Sequence, residues 1–141
     1  MTDRRKTLEM DFTYTYTIII PHKNIPLLLQ RCLDSIPLRQ DIQVVIVDDN
    51  SSPAVVDFDN FPGSERKDTE IIHTSESKGA GYVRNCGLAA EKGRWLLFAD
   101  ADDFFLPGFL DVLDTFALTD YDMIVFRAES TDSDMLRQVE S

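Results

Sequence analysis

The sequence predicts an α/β fold built on a doubly wound, mostly parallel sheet, and three observations carry that prediction. Short apolar runs recur along the 141 residues and are too brief for ordinary helices. Segments with helical spacing alternate with them, giving the order β-α-β-β-α-β-α-β. Two of the runs end abruptly in acid, at Asp48-Asp49 and at Asp100-Ala101-Asp102-Asp103. Burying unpaired carboxylates costs several kcal/mol or more, so these acids belong where the chain leaves the sheet. In open α/β sheets that carboxyl end is where ligands bind.

Residues 1 to 12 read as a polar lead-in, 13 to 128 as one α/β domain and 129 to 141 as a polar tail. Tyr14 to Ile20 has the β-branched and aromatic content of a first strand, which Pro21 is expected to end. Asn24 is placed as the N-cap of a helix with Pro26 in its first turn. Leu29, Cys32, Leu33 and Ile36 then recur at helical spacing, and the helix runs to about Ser35 before Pro37 stops it. Ile42 to Val47 is a second, buried strand. Pro53 to Asp68, rich in Pro, Gly, Asp and Ser, reads as a loop or short irregular helix. Its Asp57-Phe58-Asp59-Asn60 lacks the spacing of a calcium loop.

Ile71 and Ile72 mark a short third strand, and Ser75 to Gly81 a flexible approach to a helix. That helix turns Val83, Gly87 and Ala90 toward the sheet, small enough to lie close, with Gly93 expected as its C-cap residue. Trp95 to Ala99 is read as a strand covered on both faces. Pro107 opens a further helix that points Phe109, Val112, Leu113 and Phe116 inward, and Met123 to Phe126 supplies a fifth strand.

Composition narrows the function. With 43% hydrophobic residues the chain can build one core, and a net charge of −11 argues against a nucleic-acid or anionic-membrane surface. No apolar run approaches a membrane span and no signal-peptide core follows the N-terminus. Cys32 and Cys86 fall in predicted helices without metal-ligand spacing, as expected of reduced thiols in a cytoplasmic protein. An acidic strand end repels an anionic ligand unless a cation intervenes, and Asp oxygens at this density suit a hard divalent ion with positions left for phosphate oxygens. The plainer alternative is a solvated acidic turn capping the helix at Pro107.

Three readings of such a sheet compete. A dinucleotide site in a Rossmann-like sheet needs Gly-x-Gly-x-x-Gly after the first strand, whereas Gly79-x-Gly81-x-x-Arg84 follows the third. A receiver domain of two-component signalling would use Val44 to Asn50 as its acidic strand and Leu97 to Asp100 as its phosphoacceptor strand. It also needs a downstream Lys, and none occurs after Lys92. The third reading rests on four stretches in order. They are Thr17-Ile18-Ile19-Ile20-Pro21-His22-Lys23-Asn24, Val45-Ile46-Val47-Asp48-Asp49-Asn50-Ser51-Ser52, Gly79-Ala80-Gly81-Tyr82-Val83-Arg84-Asn85-Cys86-Gly87-Leu88 and Phe98-Ala99-Asp100-Ala101-Asp102-Asp103. Together they resemble the family 2 glycosyltransferases, whose fold is the A-type glycosyltransferase fold.

The resemblance implies a nucleotide-diphosphate sugar, typically a UDP-sugar, held through Mn2+ or Mg2+ for inverting transfer to an acceptor hydroxyl. It places Ile20, Pro21 and His22 on one wall of the nucleotide pocket and Asp49 on the base. Lys78 and Arg84 are expected near the base or diphosphate, Asp100 toward the ribose, and Asp102 on the metal. Asp48 is expected to cap the turn after its strand through its backbone, Asn85 to hold its loop, and His73 to end the third strand. Asp103 is expected to cap the Pro107 helix or to back the metal. In the family the catalytic base lies in a second half after the Asp-x-Asp region, and Asp132 and Asp134 in the tail are not assigned to that role. The catalytic residue is therefore unassigned, and the chain is expected to be a truncated, donor-binding portion. A non-catalytic nucleotide-sugar-binding fragment is the alternative. Neither the sugar nor the acceptor is legible.

Overall fold

Four strands with apolar residues form one sheet. The computed structural model describes residues 13–75 and 78–125. The lead-in, Glu76, Ser77, Phe126 and the tail with Asp132 and Asp134 lie outside the described residues. The elements are β1 (Tyr14–His22), α1 (Pro26–Asp34), β2 (Ile42–Asp48), a 3-10 turn (Phe58–Asn60), β3 (Thr69–His73), α2 (Ala80–Ala90), β4 (Gly93–Phe98) and α3 (Phe109–Asp114). The strand order is β3-β2-β1-β4 and every pair is parallel. All carboxyl ends therefore share one edge, as the predicted fold class requires.

The period of two along β1 and β2 sorts their side chains onto two cores. Ile18, Ile20, Val44 and Ile46 join Leu29, Cys32 and Leu33 of α1 and Leu110 of α3 on one face. Ile19, Val45 and Val47 meet Val83 of α2 on the other, with Cys86 and Ala90 against them. Each such aliphatic side chain contributes roughly 1.5–3 kcal/mol when fully buried. Gly87 is what lets α2 come so near, because a Cβ there would lie 2.4 Å from Ile19 Cγ2.

Several expectations are corrected. Pro21 does not end β1, which continues to His22 against β2. It ends its neighbour's ladder instead. The Ile19 carbonyl accepts the Ala99 N–H at 3.0 Å, and the next donor on that side of β1 is Pro21, which has no N–H. The chain of β4 is thus released at Ala99, directly before the acidic turn. Asn24 is not the cap of α1, whose N-cap is Ile25. Asn24 sits at φ 57° and its Oδ1 accepts the Ser52 N–H at 2.7 Å, tying the first crossover to the loop after β2. Gly93 is the first residue of β4 rather than a cap, and it lies so close to β1 that a Cβ would stand 2.5 Å from the Thr17 backbone nitrogen.

β4 is not covered on both faces among the described residues. Trp95 and Leu97 pack on the α1 side, whereas Leu96 and Phe98 stay 39% and 50% exposed because α2 lies over β1 and β2. α3 begins at Phe109 after a left-handed Gly108, which turns Leu110 inward and leaves Val112 exposed. Met123 to Val125 carry no strand pairing, and Met123 and Val125 are exposed, so the fifth strand is not found among the described residues. No helix among them is long and apolar enough to cross a membrane.

Candidate functional site

At the carboxyl edge the register sets His22, Asp48 and His73 side by side on adjacent strands. Their side chains join. Asp48 has no exposed side-chain surface, and its Oδ1 meets His22 Nδ1 at 2.9 Å while its Oδ2 meets His73 Nδ1 at 3.2 Å. Ser51 adds its hydroxyl to Oδ1 and its backbone N–H to Oδ2 at 3.3 Å. Burial alone would push this carboxyl up, but the bonds from His22, Ser51 and His73 outweigh it and hold the group at about 2. Asp48 does close the turn after β2, with its side chain as the acceptor.

His22 is likewise buried, and its Nε2 accepts the Ile25 N–H at 3.1 Å. The ring is enclosed by the fold, and it holds Asp48. The Phe61 ring packs against it nearly perpendicular, with centroids 5.6 Å apart. Asp49, one residue on, alternates away and is half-buried at the edge. Its N–H donates to the His22 carbonyl at 2.8 Å and its Oδ1 accepts from Thr74 Oγ1 at 3.3 Å.

Beyond β4 the acidic turn brings Asp100, Asp102 and Asp103 together, all exposed, each with a carboxylate oxygen within 4.8 Å of the others. The Asp103 N–H donates to the Asp100 carbonyl at 2.9 Å. Partial burial and the charges of Asp102 and Asp100 push the Asp103 carboxyl up. Asp103 therefore does not cap the following helix, whose N-cap is Gly108 with no side-chain bond. An all-carboxylate set of exposed oxygens is the hard donor type that Mn2+ and Mg2+ take, and the three residues fit such an ion.

Lys78 is exposed just before α2, its Nζ 5.0 Å from the centroid of the Tyr82 ring. Arg84 and Asn85 are exposed on the second turn of α2, flanked by the sheet-facing Val83 and Gly87. Sequence reasoning missed Arg31 and Ser35. Arg31 Nη2 donates to the Asp102 carbonyl at 2.7 Å, and Ser35 Oγ accepts the Phe105 N–H at 2.9 Å, so α1 holds the acidic turn from the side. Both partners lie about seventy positions away in the chain, and helical spacing carries no signal for them.

Known proteins share the family and the fold of this chain. The profile described as Glycosyl transferase family 2 matches residues 17–139. A PGL/p-HBAD biosynthesis glycosyltransferase of Mycobacterium bovis is 36% identical over 90 residues, covering 62% of this chain and 35% of that protein. S. aureus TarS 1–349 in complex with UDP-GlcNAc superposes with a TM-score of 0.61 at 23% identity, covering 72% of this chain and 30% of that one. The mannosyltransferase PcManGT from Pyrobaculum calidifontis, in complex with GDP-Man and Mn2+, gives 0.61 at 20% identity over 84% of this chain and 39% of its own. The chain spans about a third of the length of this mycobacterial relative. From the four stretches, the parallel sheet with its acidic edge and the match over residues 17–139, the chain belongs to glycosyl transferase family 2 and has the A-type glycosyltransferase fold.

Proposed function

We propose that the carboxyl edge of the sheet binds a nucleotide-diphosphate sugar, a UDP-sugar first of all, for inverting transfer to an acceptor hydroxyl. The observation that carries this reading is the convergence of the Asp100, Asp102 and Asp103 carboxylates within 4.8 Å at the end of β4. Three like charges held so close favour a cation among them, and a diphosphate needs one to approach an acidic surface. Asp102, with Asp100 and Asp103 beside it, holds Mn2+ or Mg2+ in this reading, and Asp100 also reaches toward the ribose. When bound, the ion supplies charge neutralisation for the departing nucleoside diphosphate.

The other residues bind and orient. Asp49 presents a carboxylate to the N–H edge of the base, a charge-assisted contact, from a backbone fixed by His22. Pro21 forms the wall between Asp49 and the acidic turn, and His22 supports that wall through Asp48. Lys78 and Arg84 bring positive charge from the α2 side. The neighbours' ligands, UDP-GlcNAc in one and GDP-Man with Mn2+ in the other, support a nucleotide sugar while leaving two bases to compare.

Titration calorimetry of the chain with UDP and with GDP, each with Mn2+ or with chelator, tests the proposal. Binding of UDP that needs the metal and is lost in Asp102→Ala is the expected result. Equal affinity with and without chelator removes the metal from the site, and tighter binding of GDP reassigns the base.

A further inference from the structure

We infer that Arg31 is a positioning residue of the acidic turn, keeping the Asp100, Asp102 and Asp103 carboxylates gathered for a divalent cation. The inference rests on the donor-site reading above and adds to it a residue outside the strand ends. Three carboxylates within 4.8 Å of one another repel, so the turn needs an outside hold to keep them there. That hold comes from α1. Arg31 Nη2 donates to the Asp102 carbonyl at 2.7 Å, and its guanidinium lies over the Phe104 ring, 4.8 Å from the centroid. One helical turn further along, Ser35 Oγ accepts the Phe105 N–H at 2.9 Å. Residues 102, 104 and 105 are thereby fastened to one rigid element, through a backbone carbonyl, a ring and a backbone amide. None of these contacts uses a carboxylate oxygen.

Arginine suits this task because its planar fork can donate in its own plane while its face covers a ring, which a lysine ammonium cannot do. Its charge acts in the opposite sense, since a cation beside the cluster opposes the arrival of a second one. The two effects give opposite signs on removal. If charge governs, an Arg31→Met chain binds metal more tightly; if position governs, it binds metal more weakly. The geometry points to position, because the guanidinium is bonded to the turn's backbone.

The test uses the full chain as wild type, Arg31→Met and Arg31→Lys. Mn2+ binding is followed by the EPR signal of the free ion, and amide exchange of residues 100–105 is measured without metal. Arg31→Met is expected to bind Mn2+ about tenfold more weakly, the scale for residues that orient metal ligands from outside. The Asp103 and Phe105 amides should exchange faster in it, and Arg31→Lys should recover the affinity only in part. Mn2+ binding in Arg31→Met as tight as wild type or tighter, or unchanged exchange, overturns the inference. A wild-type chain that takes up no Mn2+ instead overturns the donor-site reading, and the exchange rates of the metal-free chains then decide by themselves whether Arg31 holds the turn.

Discussion

The His22 ring donates from Nδ1 to Asp48 Oδ1 at 2.9 Å while its Nε2 accepts the Ile25 N–H at 3.1 Å. The second contact requires an unprotonated Nε2, so the first requires the proton on Nδ1, and one tautomer satisfies both. The ring thus joins the end of β1, the end of β2 and the start of α1. Removing it leaves a buried carboxylate short of a partner. His22→Ala should lower the unfolding free energy by about 1–3 kcal/mol, the usual cost of leaving a buried polar group short of a hydrogen-bond partner. Urea denaturation of the two chains checks it, and a loss below 1 kcal/mol would show the pair to be dispensable.

Asp48 also predicts an acid limb of stability. Its folded-state value of about 2 lies below the ordinary carboxylate value near 3.9, so the group stabilises the fold above the unfolded value and loses that contribution as pH falls toward 2. The contribution is about 2 kcal/mol. Unfolding free energies of wild type and Asp48→Asn, measured from pH 5 to pH 2, should converge by roughly that amount. A constant difference across the range would place the titration elsewhere.

Two glycines of α2 should respond in opposite directions. Gly87→Ala drives a methyl to 2.4 Å from Ile19 Cγ2, and overpacking of that kind costs about 1–3 kcal/mol. Gly81→Ala meets no atom within 4 Å and gains helix propensity, so it should stabilise by about 0.4–1 kcal/mol. Thermal denaturation orders the three proteins, with Gly87→Ala lowest and Gly81→Ala highest.

At the ligand edge, Asp49→Ala should weaken UDP binding by about 1.5–3 kcal/mol, the scale of a hydrogen bond to a charged group. The fold should survive, because Asp49 meets the sheet through its backbone N–H, which alanine retains. Calorimetry on the folded variant reads the effect. Unchanged affinity would detach Asp49 from the base.

The sequence by itself determined the fold class and the sheet end that gathers the candidate site residues. Apolar runs such as Ile42 to Val47 read as strands of a sheet, and Asp49 and Asp100, just past the ends of β2 and β4, leave the sheet there. Both inferences are local, because periodicity and the cost of burying charge act on neighbours in the chain. Tertiary structure alone decided which polar groups face each other. His22 and Asp48 are 26 residues apart, and only the β1–β2 register makes His22 the support of a buried carboxylate. Pro21, read as the end of its own strand, stops the ladder of β4, because the consequence of its missing N–H falls on the neighbouring strand. Arg31 reaches Asp102 across 71 positions, set by the way α1 lies on the sheet. The open face of Leu96 and Phe98 has the same cause, since an apolar run announces what a strand can bury and only the placement of α2 settles what covers it.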